Sequence, residues 1–240
     1  MRHFVRLGLL LALAALVALT LVPAGWRAGL WHYSISLQMM RWVAYLALAG
    51  AAASLLGLLG WRRLSRSLRL GAIAALLVSV LLFAMPMRYS LAAISIHDIS
   101  TDTDNPPPFT AVLPARQAAN AASAAYAGAS LAATQHAAYP DIAPLTLKLP
   151  PDEAFRRALA AAETMPRWTI VAQDPAAGRI EATARTFWMG FADDVVIRIT
   201  AEGGGSRVDM RSLSRVGRGD FGANADRIRA YLALLRAAAS

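Results

Sequence analysis

The sequence contains one glycine pattern that is typical of phosphate binding. Residues 217–222 read Gly-Arg-Gly-Asp-Phe-Gly, a G-x-G-x-x-G arrangement between a predicted strand and a predicted helix. In dinucleotide-binding folds, backbone N–H groups at such a helix start hold a pyrophosphate. Those folds also need a further parallel strand and an acid about twenty residues on, and neither follows Gly222 in this sequence. We therefore interpret the glycines as a turn and predict that Asp220 or Asn224 caps the helix.

Two arginines beside the same helix start indicate a simpler kind of site. Arg215 and Arg218 flank the first glycines, and a helix amino terminus attracts anions. We predict that these arginines hold an anionic lipid headgroup or a carboxylate. Asn224 and Arg198 complete the candidate ligand-binding set.

A second polar run lies upstream of the predicted sheet. Asp102-Thr103-Asp104-Asn105 resembles the opening of a calcium loop, in which alternate acids surround one cation. The glycine and the glutamate that such a loop needs further on are replaced by Pro107 and Leu113. A turn that hydrogen-bonds its own backbone is the favoured interpretation.

A hydrolase-like enzyme is an alternative that these polar residues leave open. It would use His97, Asp102 and Asp104 near Arg198 or Arg215. The sequence has no G-x-S-x-G nucleophile motif, which makes catalysis the less favoured function.

The remaining acids and histidines do not form a recognisable centre. Asp193 and Asp194 are adjacent, so on a strand they point to opposite faces and cannot act as a close carboxylate pair. Asp194 is therefore kept only as a member of the polar cluster with His97, Asp102 and Asp104. The chain has no cysteine, and we predict no metal site and no cofactor.

The elements that position these residues fall into two chemically different parts. All fifteen acidic residues lie at or after Asp98, whereas residues 1–87 carry eight arginines and no acid. Residues 88–240 carry sixteen basic and fifteen acidic residues, a net charge of +1. The net charge of +9 therefore belongs to the amino-terminal part, and we expect no nucleic-acid partner.

Three apolar stretches without an interior charge predict a membrane domain over residues 1–87. The transmembrane helices are expected at about 4–22, 43–61 and 70–87. Arginines precede the first span and fill the link between the second and third, so the positive-inside rule places both in the cytoplasm. The amino terminus is then cytoplasmic, and the carboxyl half lies on the periplasmic side of a bacterial inner membrane. If the first stretch were a cleaved signal peptide, the carboxyl half would still end outside.

The rest of the chain predicts an α+β domain. Residues 88–150 are rich in proline and alanine and are expected to drape over it, while residues 151–240 form its core. A helix from Pro151 precedes four strands in two hairpins, at about 168–173, 179–187, 194–201 and 207–214, and a last helix covers 222–237. With a short strand at 94–99, we predict an antiparallel four- to five-stranded sheet with two helices packed on one face.

Alternation along these strands separates an apolar face from a charged one. The charged face carries Glu181, Arg185, Arg198, Asp209 and Arg211. We predict that this face is uncovered and forms the candidate working surface. Cross-strand ion pairs that merely solvate an exposed sheet are the favoured alternative.

Several blocks of sequence resemble a known family, domain-of-unknown-function family 1499. The resemblance is carried by the runs at 97–107, 139–142, 178–184, 191–199 and 206–231, which include His97-Asp98-Ile99-Ser100, Tyr139-Pro140-Asp141-Ile142 and Asp193-Asp194-Val195-Val196. It covers most of residues 95–236 and implies a bacterial, often membrane-attached protein. It implies no established reaction.

The expectation for function is a membrane-anchored cell-envelope protein with an extracytoplasmic binding or assembly module. Its partners would be the lipid bilayer and a protein, an anionic lipid or a small anionic molecule. The membrane-tethered enzyme and a purely structural role in the membrane are the alternatives.

Overall fold

The computed structural model describes residues 1–92, 95–217 and 219–239, without the side chains of residues 85–92. The chain divides into two compact units, Met1–Ala92 and Ala93–Ser240. Each unit has its own buried side chains, so each is described by itself.

The first unit consists of three long helices joined by short links. Helix α1 covers Arg2–Arg27, α2 covers Tyr33–Leu58 and α3 covers Arg66–Ala92, with one short 3₁₀ turn at Trp61–Arg63. All three are long and apolar enough to cross a membrane, with mean hydropathies of 2.5, 1.4 and 2.2 in their best windows. These helices match the number of spans that the sequence predicts.

Helix α2 begins earlier than the predicted second span. It starts at Tyr33, so Arg41 and Trp42 lie within the helix rather than in the link before it. Ser34 N donates to the His32 side chain at 3.4 Å, which caps this helix start. The apolar stretch marks only the part that suits hydrocarbon, whereas the helix continues beyond it.

Small residues allow α1 and α2 to pack closely. A Cβ atom on Gly8 would lie 2.3 Å from Ser54 Oγ, and one on Gly57 would lie 2.6 Å from a methyl carbon of Val5. Close approach through glycine, alanine and serine is typical of helices packed within a bilayer, where the hydrophobic effect does not drive association.

The second unit contains a six-stranded antiparallel sheet. Its strands are β1 Asp98–Ser100, β2 Leu145–Leu147, β3 Trp168–Asp174, β4 Arg179–Arg185, β5 Ala192–Glu202 and β6 Gly205–Ser214. The order is β1-β6-β5-β4-β3, and β2 pairs with another part of the β6 edge. The short strand β2 was not predicted, because it lies in a proline-rich stretch. Of the strand expected at 94–99, only the end is confirmed, and Ile94 lies outside the described residues.

Two helices cover one face of this sheet, which confirms the predicted α+β class. Helix α6 covers Pro151–Thr164 and α7 covers Ala223–Ala239. Their inward side chains, including Phe155 and Tyr231, pack on the buried strand residues to form one apolar core. The Tyr231 hydroxyl donates to the Ala158 carbonyl at 2.8 Å, which joins the two helices.

The chain between β1 and β2 lies over other parts of the sheet. It contains helix α4, Leu113–Ala118, and helix α5, Ala129–Ala138. Phe109 and Val112 pack against Val196 and Leu213 in a second, smaller apolar cluster. Residues 101–126, which we call the covering segment, therefore form a layer of the domain.

The turn between β3 and β4 offers a stability test. Gly178 has φ +62°, and a Cβ there would lie 2.2 Å from the Ile199 carbonyl oxygen; Gly203 has φ +57° with open space around it. Gly203→Ala should cost about 1–2 kcal/mol through left-handed strain alone. Gly178→Ala should cost about 1–3 kcal/mol more, because the clash adds to the strain.

Native-state hydrogen exchange of β5 peptides in the full-length protein measures the loss of stability in both variants. Equal losses for Gly178→Ala and Gly203→Ala would contradict the close approach of Gly178 to Ile199.

Candidate functional site

The charged face of the sheet is buried, so the prediction of an uncovered face is wrong. Glu181, Asp209 and Arg211 are almost completely inaccessible to solvent beneath the covering segment, whereas Arg185 is exposed. Alternation in the sequence determines which side chains share a face. It does not reveal which other part of the chain covers that face.

Glu181 fixes the start of the covering segment. Its carboxylate accepts hydrogen bonds from Thr110 N at 3.0 Å, Thr110 Oγ1 at 2.5 Å and Val112 N at 3.0 Å. Bonds to an ionised acceptor are stronger than neutral ones. These hydrogen bonds replace the hydration that the carboxylate loses on burial, and they position Phe109 and Val112.

Asp194 holds the helical part of the same segment. Its Oδ2 accepts from Arg116 Nη1 at 2.9 Å and from Arg215 Nε at 2.9 Å, and its Oδ1 accepts from Thr183 Oγ1 at 2.8 Å. Arg116 lies in α4, so this carboxylate joins β5, α4 and the residue after β6. The predicted anion-binding group of Arg215 is thus already occupied by an internal carboxylate.

Arg211 is the third anchor and lies between two aromatic rings. It forms a two-pronged pair with Asp98, at 2.8 and 2.7 Å, and donates to the Ala124 carbonyl at 2.9 Å. Its guanidinium carbon lies 5.0 Å from the Phe109 ring centre and 5.3 Å from the Tyr126 ring centre. Cation–π contacts of this kind fix the orientation of both rings.

These rings border a shallow cavity, which we call the Arg211 cavity. Its volume is about 480 Å³. It is lined by Pro106, Pro108, Phe109, Leu113, Ser123, Ala124, Ala125, Tyr126 and Arg211. A few polar groups among apolar walls are typical of a ligand site.

Tyr126 is one of the residues that line this cavity, and its hydroxyl is unusual. Its hydroxyl is buried and makes no hydrogen bond to the described part of the chain. Burial, followed by the nearby Asp98 carboxylate, raises the pKa of Tyr126 to about 12, so the phenol is neutral at pH 7 and can donate. A buried donor without a partner costs free energy, which an acceptor on a ligand would recover.

The predicted polar cluster is divided between different parts of the domain. Asp102 pairs with Arg198 at 2.9 Å and with Arg207 at 3.2 Å, which brings two predicted residues together. Asp104 is exposed at a different position of the same turn. The His97 carbonyl accepts from Ser214 N, while its side chain bonds to none of these acids among the described residues.

The predicted anion set is divided in the same way. Arg198 also binds Asp209, at 2.7 Å, and Arg215 binds Asp194. Asn224 is buried, accepts from Ser212 Oγ at 2.6 Å and donates to Ser214 Oγ at 2.9 Å. Arg218 lies outside the described residues.

Two turn predictions are confirmed by the hydrogen bonds. Asp220 accepts from Gly222 N at 2.9 Å and from Asn224 N at 2.7 Å, so it uses donors at the start of α7 that a pyrophosphate would need. Burial raises the pKa of the Asp220 carboxyl. Asp102 Oδ1 accepts from Asn105 N at 2.9 Å, which is the self-bonded turn expected there.

The opposite orientation of Asp193 and Asp194 is also confirmed. Asp193 pairs at 2.5 Å with Arg227 of α7, whereas Asp194 pairs with Arg116 of the covering segment. Among the described residues, no group of three or more histidine or acidic side chains is placed to hold a metal ion.

Sequence reasoning missed Phe109, Arg116 and Tyr126 as site residues. One signal was present: in the alanine-rich stretch after Pro114, Arg116 is the only arginine and Tyr126 the only aromatic residue before residue 139. A lone arginine or ring among alanines has few ways to act except through a tertiary contact. The partner, however, is more than seventy residues away along the chain.

The fold and the site define a class of protein. Three helices that are suited to a membrane precede an α+β domain in the chain, and the covering segment buries the charged face of that domain's sheet. A family model described as a protein of unknown function, DUF1499, matches residues 98–235. The chain belongs to this family, which confirms the resemblance seen in its sequence blocks.

Comparisons beyond the family give little further. No curated protein matches the chain significantly. Among solved structures, TTHA0849 from Thermus thermophilus is similar at 14% identity over 41% of this chain and 97% of its own, with a TM-score of 0.25. Ara h 8.0201 is similar at 13% identity over 39% and 95%, with a TM-score of 0.22. Similarity at this level carries no information about activity.

The Asp194 pairs lead to a stability prediction. Asp194→Asn leaves Arg116 and Arg215 without a neutralising carboxylate in a buried position and should cost about 3–5 kcal/mol. Asp226→Asn is the matched control, because Asp226 also pairs with an arginine but is 77% exposed. Its cost should stay within about 1 kcal/mol.

Hydrogen exchange of peptides from α4 and β5 in the full-length protein gives the loss of stability caused by each substitution. Similar effects of Asp194→Asn and Asp226→Asn would show that Asp194 does not anchor the covering segment.

Proposed function

We propose that this chain is an inner-membrane protein of the bacterial cell envelope whose α+β domain works outside the cytoplasm as a binding module. The placement is supported by three helices suited to a membrane and by the arginines that cluster before α1 and between α2 and α3. Arginine-rich connectors stay in the cytoplasm, and an odd number of spans then exports the following domain.

The single observation that carries binding is the Arg211 cavity with its unsatisfied phenol. The acids of the sheet face are committed to internal bonds that hold the covering segment, so they are not available as general acids or bases. Tyr126 is different, because its buried hydroxyl makes no hydrogen bond to the described residues while its ring is held by Arg211. An unused donor beside an apolar cavity favours recognition over reaction.

The chemistry of the cavity restricts the ligand. The charge of Arg211 is neutralised by Asp98, so the cavity does not select an anion by charge. Proline and aromatic walls favour an apolar group, and Tyr126 favours a hydrogen-bond acceptor on it. The ligand is therefore an apolar molecule or side chain that carries an uncharged acceptor such as an amide or ester carbonyl.

The enzyme alternative lacks comparable support. It needs His97, Asp102 and Arg215 to converge in one pocket, whereas these residues bond to different partners. Neither of the two cavities described for the chain is lined by any of them. No specific observation favours catalysis over binding.

Topology is tested by reporter fusions to the full-length chain. Alkaline phosphatase fused to the carboxyl terminus should be active and green fluorescent protein at the same place dark, because the domain is exported. A fusion after Ser65, in the arginine-rich link, is the matched control and should give the reverse pattern. Fluorescence from the carboxyl-terminal fusion in a correctly inserted protein would overturn the placement.

Binding is tested with Tyr126→Phe, which removes only the hydroxyl. The free energy of unfolding should change by less than about 1 kcal/mol or increase, because the lost hydroxyl has no partner among the described residues. In native mass spectrometry of detergent-purified full-length protein, the wild type should carry a bound small mass or peptide and the variant should lose it.

Tyr139→Phe is the control, because this tyrosine packs against Arg229 away from the cavity. A bound mass that survives Tyr126→Phe as well as it survives Tyr139→Phe would contradict the site. A wild-type protein without any bound mass would contradict the binding function itself.

A further inference from the structure

One loop of the domain exposes large aromatic side chains to solvent. The turn between β4 and β5 contains Phe187 and Trp188, which are 76% and 41% exposed. Exposed leucines and aromatics are expected on the membrane helices, but in a water-soluble unit adjacent exposed rings mark an interaction surface. We call residues 186–190 the aromatic loop.

The aromatic loop holds its shape through its own hydrogen bonds. Thr186 N donates to the Phe191 carbonyl at 2.9 Å, and Gly190 N donates to the Thr186 carbonyl at 3.1 Å. Phe191 N also donates to Thr186 Oγ1 at 2.9 Å. The two rings are therefore presented by a structured turn, so little ordering entropy is lost when they bind.

Two arginines that pair with no acid in the described part of the chain flank these rings. The Arg167 guanidinium carbon lies 5.3 Å from the Phe187 ring centre, and Arg167 Nε donates to the Arg185 carbonyl. Arg185 Nη1 donates to the Gly190 carbonyl at 3.3 Å. Within the described chain, neither arginine has an ion pair with an acid, whereas Arg198, Arg211 and most other arginines of this domain do.

The loop lies at the end of the sheet where the chain enters the domain. Ser214 N donates to the His97 carbonyl just before β1, and Arg215 N donates to the Ala192 carbonyl at the start of β5. The aromatic loop immediately precedes β5 at this same end. The described residues just before β1 therefore lie at the end of the sheet that carries the loop.

We propose that the aromatic loop is a peripheral membrane contact: Phe187 and Trp188 insert into the headgroup region of a bilayer, and Arg167 and Arg185 bind lipid phosphates. Aromatic rings with adjacent cations prefer this interfacial layer, where the rings leave water and the guanidinium groups meet anions. The three apolar helices of the same chain would keep the domain near a bilayer, so lipid is the binding partner that is always close to the loop. The proposal holds for either side of the membrane and does not depend on a ligand in the Arg211 cavity.

The absence of cysteine allows a direct test by site-specific labelling. The variant Met189→Cys keeps both rings and accepts an environment-sensitive nitrobenzoxadiazole probe. Leu234→Cys is the matched control, because Leu234 is an exposed apolar residue of α7 outside the loop. Both full-length proteins are placed in nanodiscs of phosphatidylcholine with or without phosphatidylglycerol.

The probe at residue 189 should emit at shorter wavelength and be quenched by a lipid carrying a headgroup nitroxide, with less quenching by aqueous iodide. The probe at residue 234 should show the opposite preference. Arg167→Gln with Arg185→Gln should remove the extra lipid quenching seen in phosphatidylglycerol discs, and Phe187→Ser with Trp188→Ser should abolish it in both lipids.

Three outcomes would overturn the proposal. In the first, iodide quenches the probe at residue 189 as strongly as it quenches the control. In the second, neither quencher reaches the probe at residue 189, which would indicate that a protein partner or a second copy of the chain covers the loop. Lipid quenching that is unchanged by Phe187→Ser with Trp188→Ser would show that the rings do not make the contact.

Discussion

Buried carboxylates on the sheet are the constraint on which the α+β domain depends. Glu181 accepts from backbone N–H groups of the covering segment, and Asp194 pairs with its Arg116. Asp98 pairs with Arg211 of β6, which in turn donates to the Ala124 carbonyl of the segment. The segment contains few large apolar residues, so hydrophobic burial alone would repay little of the conformational entropy that its ordering costs. Charge-assisted bonds in a dry layer supply the rest, but only while every partner is in place. Stability and specificity therefore come from the same contacts.

Burial of the charged sheet face limits which surfaces of the domain can contact other molecules. One face is closed by α6 and α7 and the other by the covering segment, so the open features are small. The Arg211 cavity is lined by Tyr126, whose hydroxyl makes no hydrogen bond to the residues that the structure describes. The aromatic loop lies between the end of β4 and the start of β5. The proposed binding module therefore has two separate small surfaces.

The class of fold was predictable because local periodicity and global structure agree. Alternation at Val195, Ile197 and Ile199 gave a correct core face, and the opposite orientation of Asp193 and Asp194 followed from strand geometry. The Asp220 and Asp102 turns were predictable for the same reason, since a short polar side chain bonds backbone a few residues away. The site was not predictable to this extent. Arg215 and Arg198 were predicted to bind an anion, with cross-strand ion pairs as the favoured alternative for the strand face that carries Arg198. Arg198 does pair with Asp209 across the strands, but its second carboxylate, Asp102, comes from a turn, and Arg215 pairs with Asp194 of another strand.

The sequence by itself determined that the chain has an apolar, arginine-flanked half and a mixed-charge α+β half, because hydrophobicity and its period are local properties. It also determined which strand residues share a face. Only the tertiary structure decided that the charged face is a buried layer and that Arg211 lies between Phe109 and Tyr126. It also decided that Arg167 and Arg185 bond to backbone carbonyls and pair with no acid among the described residues. The reason is that an ion pair or a cover requires two distant segments to meet, and neither segment alone encodes the position of the other.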